Sequence, residues 1–312
     1  MNVTLRQLRY LQALAATGHF GRAAERCGVS QPALSMQIVA LERIMGGDLV
    51  ERHAGGARLT RLGADVTRRA GTVLAEVGEL EHLARVRLPP LSGRLTLGVI
   101  PSIGPYLLPA LLPHLRQHHR ALALTIRETV TANLIGELQA GEIDVALISL
   151  PAGQAGLVER AIFRDPFRLA VPSQMPEPEG GWRAEALGEA HLLLLEDGHC
   201  LRDQTLAACG SAIGAAARGA GVASLETVLH LVAAGHGITL LPEIFVSRFR
   251  AESHPGIRVV ALEAPAPARH LGLCWRAANA RRADFEALAE AIAAIAPGTP
   301  GLGTAEFGRQ GH

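Results

Sequence analysis

The sequence contains no lysine, only four cysteines and few aromatic residues. All 30 basic residues are arginines, and with 29 acidic residues they leave a formal net charge of +1. Four cysteines are too few for a fold held together by disulfides, and there is no Cys-x-x-Cys pair of the kind that binds zinc. No apolar run approaches the roughly 18–20 residues that span a bilayer, and the N-terminus lacks the apolar core of a signal peptide. We therefore expect a cytoplasmic protein of two or three domains with no membrane segment.

Charge is unevenly distributed along the chain. Residues 1–87 hold 12 arginines and 8 acidic residues, whereas residues 88–312 hold 18 arginines and 21 acidic residues. The first part is therefore net positive and the second net negative. This arrangement favours a nucleic-acid-binding head joined to a separate body.

The basic part has the pattern of a helix-turn-helix. Leucines at helical spacing predict a first helix that ends at Gly18, and a second, short helix covers residues 20–27. After a Gly-Val turn, Ser30 is a good N-cap for a third helix that runs to Met45. In helix-turn-helix proteins, the start of this third helix meets base edges in the major groove.

A two-stranded wing and a long helix are predicted next. Residues 49–52 and 58–60 predict two strands around a Gly-rich turn, and residues 61–87 predict a helix about 40 Å long. That helix has too little chain around it to bury its apolar stripe, so we expect it to pair with a second copy. The alternative is an ordinary helical bundle with solvated arginines. The candidate DNA contacts in the third helix and the wing are Ser30, Gln31, Pro32, Ala33, Ser35, Gln37, Arg52, Arg58 and Thr60.

Strand and helix patterns alternate beyond Pro89-Pro90. Strands are expected at 95–100, 122–127, 144–149, 169–171, 192–195, 238–241, 258–262 and 271–275, and helices at 105–118, 133–140, 224–234 and 284–295. This alternation predicts a largely parallel sheet covered by helices. The Gly- and Pro-rich residues 297–312 predict a flexible tail.

Chemistry-bearing residues concentrate in residues 192–210. An apolar strand ends at Glu196, and Cys200 follows at the carboxyl end of that strand, where α/β proteins hold ligands. A helix is expected from about Arg202 toward Cys209. In a continuous helix, nine residues rise about 13.5 Å and turn about 900°, which separates two cysteines too far for a disulfide. A disulfide between them therefore requires that the helix unwinds. The alternative is that the two cysteines are small buried side chains that do not react with each other.

The N-terminal pattern becomes specific in the segment FGRAAERCGVSQPALSMQIVALERIMGGDLVER, residues 20–52. It resembles the winged helix-turn-helix of LysR-type transcriptional regulators. The resemblance implies an all-α winged helix-turn-helix with a long linker helix, followed by an α/β, two-subdomain effector domain like a periplasmic binding protein. The implied boundaries are 1–60 for the DNA-binding domain, 61–90 for the linker and hinge, 91–296 for the effector domain (91–165 with 269–296, and 166–268), and 297–312 for the tail.

The segment EDGHCLRDQ, together with the later cysteine, is similar to the sensing segment of the peroxide-responsive members of this family. The resemblance implies that Cys200 is the peroxidatic cysteine and Cys209 the resolving cysteine of a reversible disulfide. The further sensing residues that it implies are His199, Ser102, Thr131, Asp203 and Arg269. For Arg269, the alternative is a solvated loop arginine. Residues 215–221, AAARGAG, depart from the family pattern, which puts the stability of the redox loop and its dimer contacts in doubt.

The resemblance also implies a function. It suggests an activator of antioxidant genes that binds promoter DNA and RNA polymerase as a homodimer or homotetramer. Hydrogen peroxide is then the signal, and a glutaredoxin- or thioredoxin-like reductant resets the disulfide. The alternatives are a LysR-type regulator that binds a small-molecule co-inducer in its interdomain cleft and, from another class, a thiol peroxidase.

Several other residues suggest no site. We expect no enzyme activity, no cofactor and no metal site. Cys27 and Cys274 are interpreted as core residues. His114, His118 and His119 are interpreted as a polar helix end.

Overall fold

The computed structural model describes residues 2–53, 55–83, 89–184, 187, 191–209, 218–219, 222–249, 254–296 and 303–304. The chain divides into two compact units, residues 1–88 with 136–143 and residues 89–135 with 144–312. The predicted tail and the predicted last turn of the long helix lie outside the described residues, except for residues 303–304.

The first unit contains the predicted winged helix-turn-helix. Its elements are α1 (Leu5–Thr17), α2 (Phe20–Arg26), α3 (Gln31–Met45), β1 (Val50–His53), β2 (Gly56–Leu59) and α4 (Arg61–Leu83). Gly18 (φ 62°) ends α1 and Gly46 (φ 74°) ends α3, both in the left-handed conformation that glycine adopts without steric cost. Apolar side chains from the first three helices and the wing form one core.

Glycine is required where the wing approaches α1. The Ala57 N–H donates to the Gly18 carbonyl at 2.8 Å, and a Cβ on Gly56 would lie 2.5 Å from that carbonyl oxygen. Gly56 also has a φ of +148°, which other residues rarely adopt. The wing is therefore held against the first helix by backbone contacts that leave no room for a side chain at this position.

Within its described residues, the second unit contains an eight-stranded mixed sheet. The main strand order is β10-β6-β11-β5-β3-β4, and β9 and β12 also pair with β6. The strands are β3 (Gly93–Val99), β4 (Leu122–Glu128), β5 (Val145–Leu150), β6 (Leu157–Pro172), β9 (Thr239–Pro242), β10 (Ile257–Val260), β11 (Ala268–Arg276) and β12 (Gly303–Thr304), with β7 (Leu193–Leu194) and β8 (Arg218–Gly219) forming a separate pair. The helices are α5 (Gly104–His118), α7 (Cys200–Cys209), α8 (Leu225–Ala233), α9 (Glu243–Val246) and α10 (Arg282–Ile295), with the start of α6 (Thr131–Ala140), whose residues 136–140 belong to the first unit.

The sheet is less parallel than the sequence predicts. Strands β3, β4 and β5 are parallel, but β11 runs antiparallel to both β5 and β6, and β9 and β10 run antiparallel to β6. The sequence pattern predicts a strand only at 169–171, whereas β6 continues over 16 residues. Its first part mixes exposed charged positions with buried apolar ones, so no continuous apolar run marks it.

Candidate redox site and nucleic-acid interface

A small cavity lies where three helices of the second unit begin. Its volume is about 10 Å³, and it is lined by Ile100, Pro101, Ser102, Val130, Thr131, His199, Cys200 and Leu201. Ser102 lies two residues before α5, while Thr131 and Cys200 are the first residues of α6 and α7. Helix N-termini carry partial positive charge from their unpaired N–H groups. The cavity therefore joins a thiol, two hydroxyls and an imidazole in surroundings that favour negative charge.

A buried ion pair positions the hydroxyl of Ser102. Arg269 Nε lies 2.8 Å from an Asp165 carboxylate oxygen, and the two side chains are 1% and 0% exposed. The same guanidinium donates to Ser102 Oγ at 2.7 Å and to the Ser102 carbonyl at 3.0 Å. Burial raises the pKa of the Asp165 carboxyl, while Arg269 and the Ile244 N–H act in the opposite direction. Arg269 is thus buried in β11, and the alternative of a solvated loop arginine is wrong.

The two cavity hydroxyls are free to make new hydrogen bonds. Ser102 Oγ accepts from Arg269, which leaves its own proton available for donation. Thr131 Oγ1 is buried and has no hydrogen-bond partner in the described part of the chain. A buried polar group left unpaired costs about 1–3 kcal/mol, and a small polar molecule in the cavity would supply the missing bond.

Of the two basic residues near Cys200 in the sequence, His199 and Arg202, only His199 lines the cavity. His199 is buried, and its Nε2 lies 3.7 Å from a Glu196 carboxylate oxygen. Arg202 instead lies with its Nε 2.9 Å from an Asp197 oxygen, and it donates to the Leu195 carbonyl at 3.1 Å. The charge of Arg202 is therefore engaged by the loop before α7.

Cys209 occupies the opposite end of α7, in an apolar core. It is 1% exposed and belongs to a cluster with side chains of β7, α8 and β9. Cys200 and Cys209 are both thiols. The helix runs without a break from Cys200 to Cys209, although the sequence predicts a start near Arg202. Nine residues of helix correspond to about 13.5 Å, well beyond the roughly 7 Å that a disulfide allows between Cα atoms.

One hydrogen bond ties the middle of α7 to the main sheet. Gln204 Nε2 donates to the buried Ser149 Oγ on β5, and Ser149 Oγ lies 3.4 Å from the His270 carbonyl oxygen. Sequence reasoning misses Gln204 because its partner is 55 residues away. It also misses Asp165, because Arg164 and Arg168 lie beside it in the sequence and no local pattern marks it as buried.

Asp203, the remaining predicted redox residue, lies away from the cavity. Asp203 is exposed in the first turn of α7 and does not line the cavity.

Cys274 is fully buried, and burial raises the pKa of its thiol to about 12. Of the atypical residues 215–221, the structure describes only 218–219. Among the described residues, no group of three or more His, Cys, Asp or Glu is arranged to hold a metal ion.

The predicted DNA contacts of α3 lie outside the buried face of the helix. Leu34 and Ile38 are fully buried and define that face. The candidates at the start of the helix are exposed (Ser30, Gln31, Pro32) or half-buried (Ala33, Ser35, Gln37). This leaves small and amide side chains at the helix N-terminus open to a nucleic acid.

The wing contributes two exposed arginines. Arg52 and Arg58 lie on β1 and β2, and the Arg52 guanidinium lies 4.7 Å from the centre of the Phe20 ring, which helps to orient it. Thr60 differs from both, because its hydroxyl already donates to the Asp48 carbonyl at 2.7 Å and accepts from the Gly63 N–H at 2.9 Å. Its hydroxyl therefore caps α4, as the N-cap residue of a helix does.

Both parts of the chain match descriptions of the LysR family. Residues 5–64 match the bacterial regulatory helix-turn-helix protein of the lysR family, and residues 89–296 match the LysR substrate binding domain. With the winged helix-turn-helix and the mixed-sheet unit described above, these matches show that the chain belongs to the LysR family of DNA-binding transcriptional regulators.

Within that family, the chain is similar to OxyR proteins. It is 39% identical over 294 residues to the DNA-binding transcriptional dual regulator OxyR of Escherichia coli K12, which covers 94% of this chain and 95% of that protein. Full-length OxyR of Pseudomonas aeruginosa, a cysteine-to-aspartate variant, has a TM-score of 0.78 at 36% identity, with 94% and 98% of the two chains covered. A hydrogen-peroxide-bound mutant of Corynebacterium glutamicum OxyR has a TM-score of 0.64 at 31% identity, with 96% and 94% covered. In the described part of the chain, no helix combines the length and apolarity needed to cross a membrane.

Proposed function

We propose that this protein is a hydrogen-peroxide-sensing transcriptional regulator that is switched by a reversible Cys200–Cys209 disulfide. The observation that carries the proposal is the small cavity in which Cys200 meets two hydroxyls, one of them buried and unpaired. The similarity to OxyR proteins, including one solved with hydrogen peroxide bound, supports it.

The proposed chemistry begins at Cys200. Its thiolate attacks one peroxide oxygen; an S–O bond forms, the O–O bond breaks, and the cysteine becomes a sulfenic acid. The departing hydroxide takes a proton and leaves as water. Ser102, whose hydroxyl is oriented by Arg269, and Thr131, whose hydroxyl has no other partner, are the donors to the peroxide oxygens. Charge developing on the departing oxygen is further stabilised by the N-termini of the surrounding helices.

A second step converts this oxidation into a change of conformation. The Cys209 thiol attacks the sulfenic acid sulfur, a disulfide forms, and water leaves. Because α7 holds the two cysteines about 13.5 Å apart, the bond requires that the helix unwinds and that Cys209 leaves its apolar core. A glutaredoxin- or thioredoxin-like reductant then restores both thiols. A thiol peroxidase would consume one peroxide per cycle in the same way, but catalysis gives no reason for a winged helix-turn-helix, which favours a sensor.

The output is a change in DNA binding. We infer that a homodimer or homotetramer in the cytoplasm presents α3 and the wing to promoter DNA. Unwinding of α7 then shifts the contacts between subunits and with them the half-site spacing. Recruitment of RNA polymerase would activate antioxidant genes.

The test combines thiol mass spectrometry with DNase footprinting on promoter DNA. One equivalent of hydrogen peroxide should produce a Cys200–Cys209 bond and an altered footprint in the same sample, and Cys200→Ser should abolish both. A Cys274→Ser variant is the matched control and should behave like the parent. Unreacted thiols with an unchanged footprint would contradict the proposal.

A co-inducer-responsive LysR-type regulator is the second candidate function. It is favoured by a cavity of about 340 Å³ in the second unit, a volume within the usual range for small-molecule sites. A footprint that changes with a small molecule but not with peroxide would select this alternative.

A further inference from the structure

The small cavity at Cys200 adjoins a much larger one. The larger cavity has a volume of about 340 Å³, compared with about 10 Å³ for the small one. Pro101, Ser102 and His199 line both, so these three residues form the boundary between them. The small cavity has room for about one water-sized molecule, whereas the larger one has room for a substituent of several carbon atoms.

The larger cavity offers an apolar and rigid wall. Pro105, Tyr106, Leu195 and Leu225 contribute to its lining. The Tyr106 ring packs edge-on against Phe245 with the ring centres 5.0 Å apart. Pre-formed apolar cavities of this kind bind apolar groups because they remove hydrocarbon surface from water.

The lining of the larger cavity includes one carboxylate, that of Glu128. Burial, together with Glu226 and Glu128, raises the pKa of the Tyr106 hydroxyl to about 12, so this group is neutral at physiological pH. A negatively charged substituent would be repelled by the Glu128 carboxylate, whereas an uncharged apolar group would not be.

We propose that the larger cavity holds the apolar substituent of an uncharged organic hydroperoxide while the O–O–H end of the molecule enters the small cavity at Cys200. The inference rests on the proposed function and extends it, because the sensor would respond to alkyl and aryl hydroperoxides as well as to hydrogen peroxide.

The geometry suits the reaction of such a molecule. The Cys200 thiolate attacks the terminal oxygen, the S–O bond forms and the O–O bond breaks. Cys200 is oxidised to the sulfenic acid, and the hydroperoxide is reduced to an alkoxide that takes a proton and leaves as the alcohol. The alkoxide oxygen would form at the boundary of the two cavities, where Ser102 has a proton to donate.

The experiment compares three oxidants on the full-length protein. Formation of the Cys200–Cys209 bond is timed with hydrogen peroxide, tert-butyl hydroperoxide and cumene hydroperoxide. Ala223 is exposed and lines only the larger of the two cavities, so Ala223→Phe narrows that cavity and leaves the lining residues of the small cavity unchanged in sequence. Ala283→Phe, at an exposed position of α10, is the matched control.

We expect Ala223→Phe to slow oxidation by the two organic hydroperoxides about tenfold or more, as the loss of an apolar pocket does, and to leave the rate with hydrogen peroxide unchanged. Ala283→Phe should change none of the three rates. If thermal unfolding shows that Ala223→Phe is misfolded, the smaller Ala223→Leu replaces it, with the same expected pattern.

Two results would overturn the inference and leave the proposed function intact. One is a disulfide that forms with hydrogen peroxide but with neither organic hydroperoxide. The other is an Ala223→Phe variant in which all three rates fall equally or none falls. A chain that forms no disulfide with any of the three oxidants would overturn the proposed function itself, and this inference with it.

Discussion

The two ends of α7 present the same side chain to opposite environments. Cys200 begins the helix beside a polar cavity with two available hydroxyls, whereas Cys209 ends it inside an apolar core and is 1% exposed. In the proposed mechanism, the first end meets the oxidant and the second is withheld from it. The helix would then separate detection from response, because Cys209 can reach Cys200 only when the helical hydrogen bonds between them break.

Removal of the Cys209 thiol, at the buried end of α7, should have the largest effect. In a Cys209→Ser variant, Cys200 should still react with peroxide, but no Cys200–Cys209 bond can form and the sulfenic acid should accumulate. A sulfenic-acid-specific reagent followed by mass spectrometry measures this directly. If the variant still formed a disulfide involving Cys200 and changed its footprint, the assignment of Cys209 as the resolving cysteine would be wrong.

Disruption of the buried ion pair between Arg269 and Asp165 should have the next largest effect. Arg269→Leu leaves Asp165 as an unpaired buried carboxylate, and the loss of one partner of a buried ion pair costs about 3–5 kcal/mol. The free energy of unfolding in urea should fall by that amount, and the peroxide reaction should slow because Ser102 loses its orienting donor. The double variant Arg269→Leu/Asp165→Leu should recover stability but not the reaction rate. An unchanged rate in both variants would remove Ser102 positioning from the mechanism.

Loss of the hydrogen bond that holds the middle of α7 should have a smaller effect, and it should raise the rate of disulfide formation. Gln204→Ala removes the hydrogen bond to Ser149, and a neutral hydrogen bond contributes about 0.5–1.5 kcal/mol to stability. Disulfide formation after peroxide addition should therefore accelerate, by about two- to tenfold if the whole contribution is lost before the transition state. Ser149→Ala should have the same effect, and the double variant no more than either. Additive effects would show that the two residues act independently.

The smallest effect is expected at Cys274, a buried thiol outside α7, which should hardly react in the native protein. Burial holds the pKa of Cys274 at about 12, so at pH 7 only about one thiol in 10⁵ is ionised. Because the thiolate is the reactive form, a thiol-alkylating reagent should label Cys200 quickly in the native protein and Cys274 only after unfolding. Rapid native labelling of Cys274 would show that the second unit opens more readily than its packing indicates.

Local signals in the sequence are enough to predict the head of the molecule. Gly18 ends α1 as predicted, and Ser30 precedes α3, because turn and cap positions depend on neighbouring residues. The body is harder, because β6 and β11 owe their form to pairing between distant segments. Arg269 shows the same limit at the site: it follows a Pro- and Ala-rich stretch that resembles a loop, and the carboxylate that buries it is 104 residues away. The convergence of Ser102 and Thr131 on Cys200 is implied by the family resemblance alone, whereas Gln204 and Asp165 require the structure.

Thr131 illustrates a trade-off between resting stability and sensitivity. Its buried hydroxyl has no hydrogen-bond partner among the residues that the structure describes, which makes the reduced protein less stable than a chain with valine at the same position would be. A sequence optimised for stability alone would lose this hydroxyl, as functional sites generally conflict with maximal stability. The unpaired hydroxyl thus lowers the stability of the second unit slightly. A small molecule that hydrogen-bonds to Thr131 in the cavity would restore that stability.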